Sequence, residues 1–223
     1  MNSELLFQAL KKFIFGLVIV AALLFIPSGT LDYPNAWLFI SLLFIPMFVV
    51  GIILMFKDPD LLRKRLNAKE KESEQKLVLL VSGLMFISAF VIAGLNFRFK
   101  WIELPQIIVI MASIVFLLAY VMYGEVLREN RYLARTVEVE KDQKVIDTGL
   151  YGIVRHPMYT STILLFLAIP LILGSLYSFI ICLIYPIIIS FRIKNEEAVL
   201  EKELDGYKQY KQKVKYRMLP FIW

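Results

Sequence analysis

Between Tyr159 and Phe191 the chain runs for 33 residues without a charge. As one α-helix at about 1.5 Å per residue this run reaches about 50 Å, far more than the ~30 Å hydrocarbon core of a bilayer. Pro170, and then Gly174 with Ser175, interrupt it where a helix stops and a chain turns. The interruption predicts two short helices in a hairpin, Pro157 to Leu173 and Leu176 to Arg192, with one kinked, strongly tilted helix as the alternative. A hairpin brings the residues before Pro157 and those after Arg192 to the same membrane depth.

Four further apolar stretches are each long enough to span: Phe13 to Leu31, Trp37 to Phe56, Leu77 to Phe97 and Ile107 to Leu127. Hydrophobic residues make up 59% of the chain and the mean hydropathy is +0.67, which excludes an ordinary soluble domain. The first stretch is too long for a cleavable signal and lacks a small-residue cleavage site. Cys182 lies alone in an apolar run, so disulfides have no role. The expected fold is all-α, a polytopic membrane bundle of five to six membrane helices with a C-terminal helical hairpin and a cytoplasmic cap. Residues 1–127 read as a four-helix transmembrane region and 128–223 as the region that carries chemistry.

Charge orients the bundle. Lys11 and Lys12 precede the first span, seven basic residues lie in Lys57 to Lys76, six in Arg128 to Arg155 and eight from Arg192 onward. Short basic loops stay in the cytoplasm. Six crossings with both termini inside put all of these segments on one face, whereas five would throw the tail outside. The net charge of +6 then reflects inside-facing loops and anionic lipid and calls for no nucleic acid.

The cap has three pieces. Lys57 to Lys76 mixes signs (Asp58, Asp60, Arg63, Lys64, Arg65, Glu70, Lys71, Glu72, Glu74) and reads as a solvated helical turn against headgroups. The stretch "TVEVEKDQKVIDTG" reads as extended with a turn at Asp142. In the tail, Leu200, Leu204, Tyr207, Tyr210 and Val214 recur at helical spacing, which predicts a helix along the membrane interface. Tyr33, Trp37 and Trp101 fall at span ends as interfacial anchors, and Pro27 and Pro46 read as kinks.

Two clusters carry chemistry. In "TGLYGIVRHPMYTS", His156 is the only histidine of the chain, and Pro157 suits the first turn of a helix. The free N–H groups of that helix start, with Arg155, suit a carboxylate or phosphate, and His156 adds a donor or acceptor near neutral pH. Lipid headgroups would satisfy these residues equally well. In "FRIKNEE", Arg192 and Glu196 are four apart on one helix face, with Glu197 beside them. Ionisable groups at the end of a span point to function more than to a surface ion pair. The hairpin joins both clusters in one interfacial pocket, open to a polar ligand from the cytoplasm and to an amphiphile from the lipid.

These motifs, together with "RIKNEEAVL" and the ending "YKQYKQKVKYRMLPFIW", resemble the isoprenylcysteine carboxyl methyltransferase family and its bacterial relatives, integral membrane enzymes that use S-adenosylmethionine. The resemblance covers roughly the last hundred residues. It implies a cofactor held by Lys144, Val145 and Ile146, by Tyr151, by His156, Pro157, Met158 and Tyr159, and by Glu196, with Arg192 contacting the substrate. Arg192 and Glu196 become the catalytic pair, and the cap becomes a cofactor-binding one. Gly152 stands where relatives carry a bulkier residue, and Thr136 where some carry glutamine. No metal is implied.

Methyl transfer from a sulfonium is an in-line displacement in which the donor carries the activation, so the protein mainly aligns the reactants and excludes water. A carboxylate or thiolate acceptor needs no general base, which fits a site with one histidine. A phospholipid amine would need either a general base, for which Glu197 is nearest, or a substrate that arrives deprotonated. The rival readings are a phospholipid amine or small-thiol methyltransferase, a membrane sterol-type reductase using a nicotinamide, and a non-catalytic scaffold. The expected location is a prokaryotic plasma membrane with a cytoplasmic site, and the expected partners are membrane lipids and a lipophilic or amphiphilic acceptor.

Overall fold

The computed structural model describes residues 3–66, 73–133 and 139–223. Prolines and glycines mark where its helices begin and end. Helix α1 (Ser3–Ser28) ends on Gly29, whose left-handed φ of 69° lets its N–H donate to the Phe25 carbonyl at 3.1 Å. Helices α2 (Pro34–Lys57) and α3 (Pro59–Leu66) each start on a proline, and Asp58 Oδ1 accepts the Leu61 N–H at 3.0 Å to cap α3. Then come α4 (Ser73–Phe99), α5 (Gln106–Glu129), a 3₁₀ turn (Gly149–Gly152), α6 (Pro157–Ile172), α7 (Leu176–Cys182), α8 (Tyr185–Glu203) and α9 (Tyr207–Lys213). No strand occurs among the described residues.

Among the described residues, five helical segments are long and apolar enough to cross a membrane: α1, α2, most of α4, α5, and α7 with α8 taken together. The chain is a polytopic helical membrane bundle. Helix α6 has 16 residues, about 24 Å. The last apolar stretch folds back as a hairpin: Gly174 takes φ 74°, and the Ser175 hydroxyl caps α7 by accepting the Ser178 N–H at 3.3 Å. Pro27 lies in the last turn of α1, one residue before its end, and Pro46 lies inside α2, which continues through it.

Helices approach closely where side chains are small, as lipid-embedded bundles require. A Cβ at Gly94 would lie 2.7 Å from the Leu24 carbonyl, so α1 and α4 touch backbone to backbone there. Ala36, Ala93, Ala112, Ala119 and Ala168 are all buried, and Phe39, Phe90 and Phe116 fill the space between them. Large apolar side chains such as Phe15, Ile45, Leu118 and Val121 face outward.

At one end of the bundle Tyr33 departs from its expected place as an interfacial anchor. It is buried, stacks on Phe97 with centroids 4.1 Å apart, and donates its hydroxyl to the Leu173 carbonyl at 2.5 Å. A carbonyl left over where α6 ends supplies the partner that a buried phenol needs. Trp37 and Trp101 remain about half exposed.

The basic segments gather at the other end. Lys12 Nζ donates to the Leu66 carbonyl, so the start of α1 meets α3. Helix α3 is also not merely solvated: Lys64 pairs with Glu140 at 2.6 Å, and Arg65 donates to the Tyr123 hydroxyl and reaches Met158 Sδ at 4.0 Å. Glu70, Lys71 and Glu72 lie outside the described residues. The tail differs from the expected interfacial helix as well. The left-handed Gly206 (φ 85°) turns the chain after α8, and Leu204, Tyr207, Tyr210 and Val214 pack on Val139, Val145 and Leu200 instead of on lipid.

Candidate active site

Folding back the hairpin sets the start of α6 against the end of α8. Pro157 occupies the first turn of α6 with His156 just before it, so both are fixed by the point at which that helix begins. One turn apart on α8, Arg192 and Glu196 face them. Arg192 Nε donates to the Tyr159 hydroxyl at 2.8 Å, and that hydroxyl donates to Glu196 Oε2 at 2.6 Å. His156 Nδ1 lies 3.9 Å from Glu196 Oε1. A guanidinium, a phenol, a carboxylate and an imidazole are thus linked between two segments 33 or more residues apart in sequence.

Glu197 does something different from its neighbour. It is 2% exposed and its carboxylate gathers Arg155 Nε at 2.7 Å, Arg217 Nε at 3.0 Å, His156 Nε2 at 3.3 Å and Lys211 Nζ at 3.8 Å. Arg155 spends its remaining reach on the Val214 and Lys215 carbonyls at 2.7 and 2.8 Å. The N–H groups of Arg155 and His156 go to the Tyr216 and Arg217 carbonyls. Arg155, expected to help hold an anion, instead binds the tail to α6 together with these two backbone N–H groups, because a buried guanidinium must be paired and Glu197 is the carboxylate in reach.

The loop after α5 closes the opposite wall. It turns at Asp142 (φ 62°), and Gln143 N–H donates to the Glu140 carbonyl at 3.1 Å. Asn130 Nδ2 donates to the Tyr151 hydroxyl at 2.9 Å, and the Tyr210 hydroxyl donates to the Tyr151 carbonyl at 2.8 Å. Burial raises the Tyr151 phenol above its ordinary pKa, which keeps it protonated. A Cβ at Gly152 would stand 3.2 Å from the Asp147 carbonyl, so the bare glycine lets this turn close tightly. Asp147 pairs with Lys213 at 2.7 Å, an exposed clip between loop and α9 that holds the Asp147 carboxyl below its usual range.

These walls border an open cleft whose empty space, mouth included, comes to about 830 Å³. Lys144, Val145, Ile146, Tyr151, His156, Met158, Tyr159, Arg192 and Glu196 all line it. Pro157 does not, being fully buried behind them. Thr136 lies outside the described residues. The sequence reading missed Asn130, Leu200, Leu204, Tyr207 and Tyr210 as lining residues. Gly206 between Tyr207 and the end of α8 was the available signal that the tail could turn over the cleft. Among the described residues no group of histidine, cysteine and carboxylates could hold a metal.

The cleft brings a carboxylate and a guanidinium together with apolar wall from Val145, Leu200 and Leu204. That arrangement can hold a zwitterionic polar ligand against α8 while an anionic group approaches Arg192. Residues 107–206 match the phospholipid methyltransferase family, which spans α5, the loop, the whole hairpin and the turn after α8. No curated protein matches the chain. The match, over somewhat less than half of the chain, supports a membrane methyltransferase.

Proposed function

We propose, for a chain that belongs through residues 107–206 to the isoprenylcysteine carboxyl methyltransferase-like group of membrane methyltransferases, that it methylates a carboxylate on an amphiphilic acceptor with S-adenosylmethionine. The observation that carries this reading is the joining of His156, Tyr159, Arg192 and Glu196 in one cleft at the basic end of the bundle.

The residues present fit the cofactor. Glu196 offers a carboxylate to a ligand ammonium, and Val145, Leu200 and Leu204 offer apolar wall to a nucleoside. Lys144 and Ile146 extend that wall, Tyr151 and Met158 border it, and Pro157 fixes where α6 starts. When bound, S-adenosylmethionine supplies an activated methyl group on a sulfonium. The protein's task is alignment. Tyr159 holds Arg192 and Glu196 in fixed relation, so that the group bound by one is oriented against the group bound by the other. Arg192 receives the acceptor carboxylate, and the apolar remainder of the acceptor stays among the lipid-facing ends of the helices.

A carboxylate acceptor needs no general base. Glu197, the candidate base for an amine, is committed to Arg155, Arg217 and His156. The phospholipid amine reading rests on the name of the matched family and needs the substrate to arrive deprotonated. In this proposal residues 1–127 anchor the catalytic region 128–223, and the basic end faces the cytoplasm of a prokaryotic plasma membrane. The test is incubation of the purified protein with methyl-labelled S-adenosylmethionine and a total lipid extract, followed by mass spectrometry. A labelled methyl ester on an acidic lipid supports the proposal, and label on an amine headgroup overturns the carboxylate assignment.

A further inference from the structure

Helix α9 presents two tyrosines one turn apart to the cleft, and they differ in a way that asks for a ligand. Tyr210 has its hydroxyl bonded to the Tyr151 carbonyl at 2.8 Å and serves to hold the wall. Tyr207 is 4% exposed, lines the same cleft, and its hydroxyl has no hydrogen-bond partner. Buried hydroxyls are almost always satisfied, and a phenylalanine would fill the same space without the cost of stripping water from an oxygen. The position lies just beyond the matched stretch, which ends at residue 206.

Its surroundings name the kind of group that could complete it. Tyr207 packs with Leu204, Tyr210, Val139 and Val145, an apolar end of the cleft, while Glu196, Tyr159 and Arg192 form the polar floor. A flat, mostly apolar ring system with a few acceptor atoms suits that end, and an amino-acid moiety suits the floor. The left-handed turn at Gly206 sets α9 against the cleft, with Tyr207 among its lining residues. The phenol is also raised above its ordinary pKa by burial and stays a donor at any physiological pH.

Resting on the S-adenosylmethionine reading above, we infer that Tyr207 is a further cofactor-binding residue whose hydroxyl donates a hydrogen bond to the adenosine half of the cofactor. The test is Tyr207→Phe in the full chain, purified in detergent and titrated calorimetrically with S-adenosylhomocysteine and with 5′-methylthioadenosine, which keeps the adenosine and lacks the amino acid. The expected result is about tenfold weaker binding of both ligands, the size of one lost hydrogen bond. The ligand-free variant should unfold at the wild-type temperature or above it. Unchanged affinity overturns the assignment, as does a loss confined to S-adenosylhomocysteine, which would put the hydroxyl at the amino-acid half. A lower ligand-free unfolding temperature overturns it too, because the hydroxyl would then be bonded within the protein. If the wild type binds neither ligand, the proposed function itself fails and this assignment fails with it.

Discussion

Replacing Glu197 with alanine should free the tail without touching the lipid-facing bundle. The carboxylate and the Arg155 guanidinium are 3% and 4% exposed and 2.7 Å apart. Removing one partner of a buried ion pair costs about 3–5 kcal/mol, because the other is left buried and uncompensated. Arg155 keeps the Val214 and Lys215 carbonyls, which argues for the lower end, about 3 kcal/mol. That loss falls on the contacts joining α6 and α8 to residues 214–217, since Arg217 loses the same carboxylate. At ~1.36 kcal/mol per factor of ten, the open fraction of the tail rises about 150-fold. Limited trypsin digestion in detergent reads this directly: Lys213, Lys215 and Arg217 supply cleavage sites, and the rate follows the open population when reclosing is fast. Lys211→Ala is the control, because its ammonium is 3.8 Å away and 36% exposed, and it should change the rate less than threefold. A Glu197→Ala rate within about threefold of wild type would refute the reasoning that this carboxylate is the structural hub.

Other substitutions separate site from scaffold. Glu196→Ala should lower S-adenosylmethionine affinity at least tenfold with little change in thermal unfolding, as calorimetry and a melting curve would show. Tyr33→Phe removes a buried hydrogen bond to the Leu173 carbonyl and should cost about 1 kcal/mol, seen as a lower unfolding temperature in detergent. Gly206→Ala forces a side chain into the left-handed region at φ 85° and should cost about 1–2 kcal/mol, with weaker cofactor binding as α9 shifts. The Asp147–Lys213 clip depends on pH: the Asp147 carboxyl is depressed in the folded chain, so its contribution is present above the unfolded carboxylate pKa and is lost as pH falls through the folded value. In the Asp147→Asn variant, trypsin cleavage at Lys213 should lose that acid dependence.

The sequence made the membrane helices legible because they rest on local facts: run length, and proline or glycine at the ends. Gly174 with Ser175 marked the hairpin turn, and from it followed the approach of His156 to Arg192 and Glu196. What stayed hidden was the choice of partner among charges. Nothing in the local pattern distinguishes Glu196, which borders the cleft, from Glu197, which faces inward, since adjacent residues on a helix are only about 100° apart. Arg155 looked available for an anion because its carboxylate lies 42 residues away and the accepting carbonyls 59 and 60 away. Likewise the stripe Leu204, Tyr207, Tyr210 shows an apolar face but not what covers it, and here the cover is Val139 and Val145 rather than lipid.

The account depends on residues 144 and 211 standing on the same side of the membrane, over one cleft. In a variant with Cys182 replaced by alanine and single cysteines placed at Lys144 or Lys211, a membrane-impermeant maleimide applied to oriented vesicles decides the matter. Both positions should label from the cytoplasmic side alone. Labelling of the two from opposite sides would contradict the account.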